Sequence, residues 1–371
     1  MPDPILLLVR ALTAGGSERQ LTEVAKSLDR AHWSPHVGCF RDEGVRGDEL
    51  RAAGVPVVRF PVTSFGSTSL LTGARLMGRY LREHAIRLVH TFDTPMNIFG
   101  VPTARFYQCP VVLSSQRAYR ALSSPRERAL LRLTDRLAHG VVVNCEAMRT
   151  HLIEDEHVPS SHVSLCYNGI DLDRFHPERG VRPEFLRDAD LVIGCACVLR
   201  PEKGLLTLVE AFAQVQPVER RVHLVLVGGG PMQEALEQRA RELGVREVTH
   251  FVGNQSDVTP WLHMMDVFVL PSLSEAFSNS LMEAMACGCT CVASRVGGNP
   301  ELVREGETGL LFEARDARGL GVQLNRLVHD PELRRRLAET GTRQIRERFS
   351  VQQSVRRMGE IYASALARRP S

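Results

Sequence analysis

The strongest constraint on this chain is an alternation that runs once, stops and starts again. Across residues 1–177, short runs rich in Val, Ile and Leu recur at 5–9, 35–40, 56–60, 86–90, 110–114, 140–144 and 163–167. Amphipathic stretches such as Glu18–Leu28 and Leu70–His84 separate them. Runs that are apolar throughout, not at every second residue, predict parallel strands covered by helices on both faces. Around 174–190 the sequence turns polar and carries prolines, which reads as an interdomain linker. The pattern then resumes with Val192–Val198, His223–Val227, Val248–Val252, Val267–Leu270 and Thr290–Ala293. The fold class this predicts is α/β: two doubly wound domains, 1–177 and 178–349, facing a central cleft. Ligands are expected outside the carboxyl ends of the strands.

Composition removes several alternatives. At 371 residues the chain is long enough for about two domains of roughly 150 residues each. A net charge of +3 gives no general affinity for nucleic acid. No apolar run approaches the ~20 residues that span a bilayer, and Ile5–Val9 reads as a buried first strand, not a leader. The nine cysteines include no C-x-x-C pair, so reduced thiols in a cytoplasmic protein are expected, with no metal and no cofactor. Of 46 basic residues only Lys26 and Lys203 are lysine. Neither follows a glycine, which excludes a Walker A loop.

Four segments carry chemistry. In TAGGSERQL, directly after the first strand, Gly15 and Gly16 permit a tight turn into a helix whose free N–H groups suit a phosphate or sugar hydroxyl. Gly228-Gly229-Gly230-Pro231 follows another strand. A nicotinamide-cofactor fingerprint fails there because its third glycine position is Gln233, but a backbone close to a nucleotide remains a reading. Arg200 and Lys203, beside Gly204 at the end of a strand, are placed to grip a diphosphate. In a chain that nearly always uses arginine, a compact ammonium at Lys203 stands out. The most specific stretch is PSLSEAFSNSLMEAMACGCTCVASRVGGNPE, 271–301. Ser278 or Asn279 reads as an N-cap, leaving Glu275 in the preceding loop and Glu283 on an apolar, buried helix. A buried carboxylate needs hydrogen-bond partners, and ribose hydroxyls are suitable.

Other residues read more plainly. His90 ends a strand and is expected to face the cleft; Asp171, in IDLD, reads as a turn residue and not half of a metal-binding pair. Arg117, Arg120, Arg126, Arg128, Arg132 and Arg136 cluster, and Arg75, Arg79, Arg82 and Arg87 follow on or near another helix. Both sets read either as solvated faces or as a surface for anionic lipid or an anionic acceptor.

Together these segments resemble the retaining GT-B glycosyltransferases, specifically glycosyltransferase family 4 (the glycosyltransferase group 1 domain). The matching pieces are TAGGSERQL, YNGIDLDRFHP, LRPEKG, SEAFSNSLMEAMACG and VGGNPELV, in the family's order. The resemblance implies two Rossmann-like domains, the first for an acceptor and the second for a nucleotide-sugar. It also implies a last helix, about 350–371, crossing back onto the first domain. It implies a catalytic set of Arg200, Lys203, Glu275 and His90, in which the two cations stabilise the departing diphosphate. Donor contacts would come from Gly16, Gly229, Asn254, Ala276, Phe277, Ser278, Asn279 and Glu283. Gly15, Gly16, Gln116 and Arg117 would lie on the acceptor side.

Two departures mark this chain: Gln116 or Arg117 stands where many members carry a histidine, and the usual Glu-Gly-Phe is Glu275-Ala276-Phe277. The expected activity is metal-independent, retaining transfer of a hexose-type sugar, with a UDP-sugar favoured, to a polysaccharide or lipid-linked acceptor. An anionic membrane surface on the cytoplasmic side is the further partner, and nucleic acid is not. The alternatives are a nucleotide-sugar epimerase of the same architecture and a non-catalytic nucleotide-sugar-binding protein.

Overall fold

A computed structural model describes residues 1–120, 123–178, 180–215 and 221–368. Arg179, within the expected linker, and 369–371, at the end of the expected last helix, lie outside the described residues. The chain divides into two compact units: Met1–Gly169 with Val351–Ser371, and Ile170–Ser350. The residues read as a linker therefore belong to the second unit. There Ile170 bridges to Ser350, and its N–H donates to the carbonyl of Phe349 at 2.8 Å.

The first unit is a seven-stranded, wholly parallel sheet. Its strands are Asp3–Ala11 (β1), Trp33–Arg41 (β2), Val57–Arg59 (β3), Leu88–Thr91 (β4), Val111–Gln116 (β5), Gly140–Val143 (β6) and Val163–Leu165 (β7). They lie in the order β3-β2-β1-β4-β5-β6-β7, so Leu7 of β1 pairs with Val37 on one side and His90 on the other. The uninterrupted apolar run in β1 has a direct cause. Ile5, Leu7 and Val9 enter the core under one face of the sheet, while Leu6 and Leu8 enter the core under the other. Side chains alternate across a strand, so a strand covered on both faces needs an apolar residue at every position.

The C-terminal helix, Val351–Ala367, belongs to the first of these cores. It contributes Val351, Val355, Met358, Ile361, Tyr362 and Leu366. Tyr362 packs edge-on against Trp33, with ring centroids 5.7 Å apart.

The second unit is a six-stranded parallel sheet of Leu191–Ala196 (β8), Val222–Val227 (β9), Thr249–Phe251 (β10), Val267–Leu270 (β11), Thr290–Ser294 (β12) and Leu310–Phe312 (β13), ordered β10-β9-β8-β11-β12-β13. Both sheets reverse their winding at one place, between β1 and β4 and between β8 and β11. Connections leave in opposite directions there and open a crevice at the carboxyl ends of the strands. Among the described residues no helix is long and apolar enough to cross a membrane.

Candidate functional site

The second unit's crevice is built by two loops, one leaving β8 and one leaving β11. They are stitched together. The Leu273 N–H donates to the Glu202 carbonyl at 2.8 Å. Gly204 has φ +64°, and a Cβ there would fall 2.1 Å from the carbonyl oxygen of Pro271. Glycine is required at Gly204 by both conformation and contact. Across this seam the Lys203 ammonium forms an ion pair with Glu275 Oε1, and the Ser272 hydroxyl donates to the same oxygen at 2.8 Å. Ser272 is itself fixed, because its carbonyl accepts from the Ser294 hydroxyl at the end of β12, 2.6 Å away.

Burial pulls the Lys203 pKa down, but the Glu275 charge and hydrogen bond outweigh it, with the Cys197 and Cys195 sulfurs adding to them. The net shift is upward, and Lys203 is a permanent cation at neutral pH. Arg200, at the start of the same loop, keeps its side chain 60% exposed, with Glu202 3.9 Å away. The crevice thus offers one cation held by its partners and one largely exposed to solvent.

Beyond Glu275 the chain enters the helix Asn279–Ala286. Ser278 is its N-cap, accepting from the Leu281 N–H at 3.3 Å. Ala276 is buried, and its carbonyl accepts from the Gly298 N–H at 2.8 Å. Phe277 is also buried, its ring 5.5 Å from that of Phe349, which fixes the loop before the helix. Glu283 is 6% exposed on this helix, beside the fully buried Leu281, Met282 and Ala284.

The glycine cluster after β9 has a different cause from the one its sequence suggests. A Cβ on Gly228 would lie 2.0 Å from the Cys197 carbonyl oxygen, and one on Gly230 would lie 2.5 Å from that of Leu199. Both have positive φ, +129° and +157°. These glycines let the loop after β9 pass against the backbone of the loop after β8. Gly229 sits between them, its N–H donating to Asn254 Oδ1 at 2.9 Å. Asn254 and Gly229 thus brace the Arg200–Lys203 loop from behind through the bond from the Leu199 N–H to the Gly229 carbonyl, 3.0 Å.

In the first unit, Gly15 and Gly16 stand where expected, after β1 at the crevice between β1 and β4. Glu18 folds back over the turn, so a Cβ on Gly15 would meet its Oε2 at 2.2 Å. Asp93, after β4, faces the same crevice. It accepts from the backbone of Arg10 at 2.6 Å and caps the helix Thr94–Phe106 through the Met96 N–H. Burial pushes its carboxyl up to about 6, against the lowering effect of those two backbone bonds.

His90 is not in this crevice. It is fully buried, with Nδ1 2.8 Å from the Tyr362 hydroxyl and Nε2 2.8 Å from the Ser115 hydroxyl. Both ring nitrogens are engaged within the fold, leaving none for a substrate. Burial, reinforced by the Arg117 charge, holds the imidazole neutral. A histidine near the end of a strand still faces the core when the sheet is covered on both sides, and β4 runs one residue past it to Thr91.

Gln116 and Arg117 also turn inward. Gln116 is 3% exposed, with its amide donating to the Ala118 carbonyl and its oxygen accepting from Arg120 at 3.4 Å. Arg117 lies over the Phe92 ring at 4.8 Å and donates to Asn168 Oδ1 at 2.8 Å. Its pKa is lowered to about 10, chiefly by burial.

Sequence reasoning missed Ser272 and Asp93. Ser272 sits three residues before Glu275 and immediately follows the Leu270-Pro271 end of β11. Asp93 precedes Thr94-Pro95, a helix-start signal that was available.

This architecture, two parallel α/β units each with a crevice and a cation-lined loop in the second, defines the GT-B class of sugar-transferring enzymes. The description "Glycosyl transferases group 1" matches residues 181–344, and "Glycosyltransferase Family 4" matches 14–174. The chain is 31% identical over 324 residues to the GDP-mannose-dependent alpha-(1-6)-phosphatidylinositol monomannoside mannosyltransferase of Mycobacterium tuberculosis, covering 81% of this chain and 82% of that one. It is 32% identical over 227 residues to N-acetyl-alpha-D-glucosaminyl L-malate synthase of Bacillus anthracis, a match that spans 59% of each chain. Among solved structures, Anabaena Alr3699/HepE in complex with UDP and glucose superposes with a TM-score of 0.84 at 24% identity, over 97% of this chain and 99% of that one. The chain belongs to glycosyltransferase family 4.

Proposed function

We propose that the protein is a retaining, metal-independent hexosyltransferase that takes its sugar from a nucleotide-sugar and passes it to a glycan or lipid-linked acceptor. The observation that carries this reading is the Lys203–Glu275 pair at the β8–β11 crevice. A nucleoside diphosphate departs with developing negative charge, and a fixed cation in a partly dehydrated crevice stabilises it without reorganising. Lys203 supplies that cation, Arg200 closes from solvent, and Glu275 and Ser272 hold the ammonium in position. Glu275 also stands beside the sugar, and the buried Glu283 offers its carboxylate to ribose hydroxyls. In retention by front-face attack, the leaving phosphate takes the acceptor proton and no covalent sugar–carboxylate intermediate forms, unlike in retaining glycosidases. A UDP-sugar is the donor we favour. One relative is named for GDP-mannose, so the base is to be settled by experiment. None of the relatives described above is named as an epimerase, and that alternative draws no support from them.

The test is a thermal-shift screen of UDP, GDP, ADP and their sugar conjugates, run with excess EDTA. One nucleotide at 100 times its dissociation constant should add about 2.7 kcal/mol to wild type and far less to Glu283→Ala. A shift that needs added metal would overturn metal independence, and no shift with any nucleotide would favour a non-catalytic role.

The basic cluster of the first unit bears on the acceptor. Arg120 is buried and pairs with Asp135 at 2.5 Å and Glu156 at 3.3 Å, while the half-buried Arg117 is held by the Phe92 ring and Asn168. Both arginines are engaged within the fold and do not count towards a lipid-facing set. The helix Pro125–Leu137, started by a Ser124–Glu127 capping box, exposes Leu130 and Leu133 among Arg126, Arg132 and Arg136. That is the pattern of a helix lying on anionic lipid. The protein should sediment with anionic vesicles at low salt. Arg126→Ser, Arg128→Ser and Arg136→Ser together should weaken binding about a hundredfold, at about 1 kcal/mol per cation. Arg132 is spared because it holds Glu156 at 2.8 Å. Sedimentation that is absent, or unchanged in the triple variant, would retire the membrane assignment.

A further inference from the structure

We propose that His176, Glu178 and His263 form a binding site for a divalent transition metal, zinc first, in the second unit and apart from the Lys203 loop. The three side chains each present one ligand atom, and these atoms lie within 4.8 Å of one another. The case rests on His263. Its Nε2 lies 2.9 Å from the His176 carbonyl, which can only accept, so Nε2 carries the hydrogen. With Nε2 so engaged, Nδ1 is the ring's remaining ligand atom, and what it faces is the Glu178 carboxylate, 3.9 Å away. A ring nitrogen and a carboxylate facing one another in this way are two donor atoms set to share a cation.

A third ligand is already there: the His176 ring stacks on that of His263 at 5.9 Å and 11°. A ligating imidazole whose other nitrogen is tied to a backbone carbonyl is the usual arrangement in metal sites, since the tie fixes both tautomer and ring orientation. Two imidazoles and a carboxylate, with a fourth position left to water, suit zinc. Tetrahedral ligand atoms at about 2.0–2.1 Å from zinc sit roughly 3.3 Å apart. Glu178 is 63% exposed and free to swing the remaining distance.

The frame behind the site is firm. The Gly180 N–H donates to the His263 carbonyl at 3.0 Å, and Arg174 pairs at 2.8 Å with Asp257, which in turn accepts from the Thr259 hydroxyl at 2.8 Å. A bound metal would staple the stretch of chain just inside the second unit to the end of the helix Thr259–Leu262.

The experiment titrates Zn2+ and Co2+ into the full-length, metal-stripped protein by calorimetry and visible absorption. One equivalent should bind, Co2+ should give a four-coordinate spectrum without a thiolate charge-transfer band, and excess Zn2+ should raise the melting temperature. His176→Ala and Glu178→Gln, both at partly exposed positions, should each weaken binding roughly tenfold or more. His263→Ala is secondary because that side chain is 8% exposed and its loss could disturb folding. Binding that is equal in wild type and in the His176→Ala/Glu178→Gln double variant, or a thiolate band with Co2+, overturns the proposal. So does the absence of binding.

Discussion

Lys203→Ala should lower the turnover of sugar transfer at least about a hundredfold, the usual consequence of removing one fixed charge donor from a developing anion. The loss should appear in kcat as well as kcat/KM, since the departing diphosphate is most highly charged in the transition state. Lys203→Arg should recover only part of it. The ammonium is held between Glu275 Oε1 and the crevice, and a planar guanidinium does not occupy the volume of a compact cation. A merely structural role predicts a different split: a lower melting temperature with turnover per folded molecule unchanged.

The pH dependence separates the two further. The Lys203 pKa lies above its ordinary 10.5, so the stability from the pair is fully present below that value. It is lost only as pH rises through the higher folded value. Transfer measured between pH 6 and 9 should therefore show no ionisation from this lysine. Near-normal transfer by Lys203→Ala would sink the assignment of the diphosphate to this loop.

Tyr362→Ala should cost about 3–5 kcal/mol of stability in urea unfolding, the range for deleting a large buried aromatic. The ring is fully buried in the first unit's core, and its hydroxyl is the partner of His90 Nδ1. Tyr362→Phe isolates the second contribution and should cost about 1–3 kcal/mol, because it leaves a buried nitrogen unpaired. His90, whose folded pKa lies well below 6.5, sets the pH behaviour of wild type. Its contribution is present above 6.5 and is lost as pH falls through the lower folded value. A Tyr362→Ala variant within 1 kcal/mol of wild type would show that the last helix is an accessory to this core.

The fold was legible because strands buried on both faces leave a coarse, unambiguous signal, and β11, Val267–Leu270, begins and ends where its apolar run does. Leu310–Phe312 escaped because its apolar run is confined to those three residues, between Gly309 and Glu313, whereas the three-residue strands that were read lie in runs of five. In the second unit the loop residues were readable by type: a lysine in an arginine-rich chain and a carboxylate just ahead of a capped helix. Their mutual contact was not, since Lys203 and Glu275 meet only because β8 and β11 are neighbours in the sheet.

The readings that went astray share one cause. His90, Gln116 and Arg117 are polar residues at the ends of strands, where sequence suggests a crevice. Each instead found partners inside: Tyr362 and Ser115, Arg120, Asn168. The glycines after β9 were similar, because a close approach is evident from glycine itself while the approaching group is not. Here that group is the backbone of Cys197 and Leu199.

The placement of the last helix in the first unit has a consequence for how the protein is made. The ribosome completes the strands of the first unit early, yet the core they share with Val355, Met358, Ile361 and Tyr362 stays open until those four residues emerge. The whole of Ile170–Ser350 is synthesised in between, roughly 10–40 s at ordinary elongation rates. The second unit is contiguous in sequence and can close on itself first, so the order of folding is the reverse of the order of synthesis. A chain cut between Ser350 and Val355 would keep the later-made unit whole and spoil the earlier one.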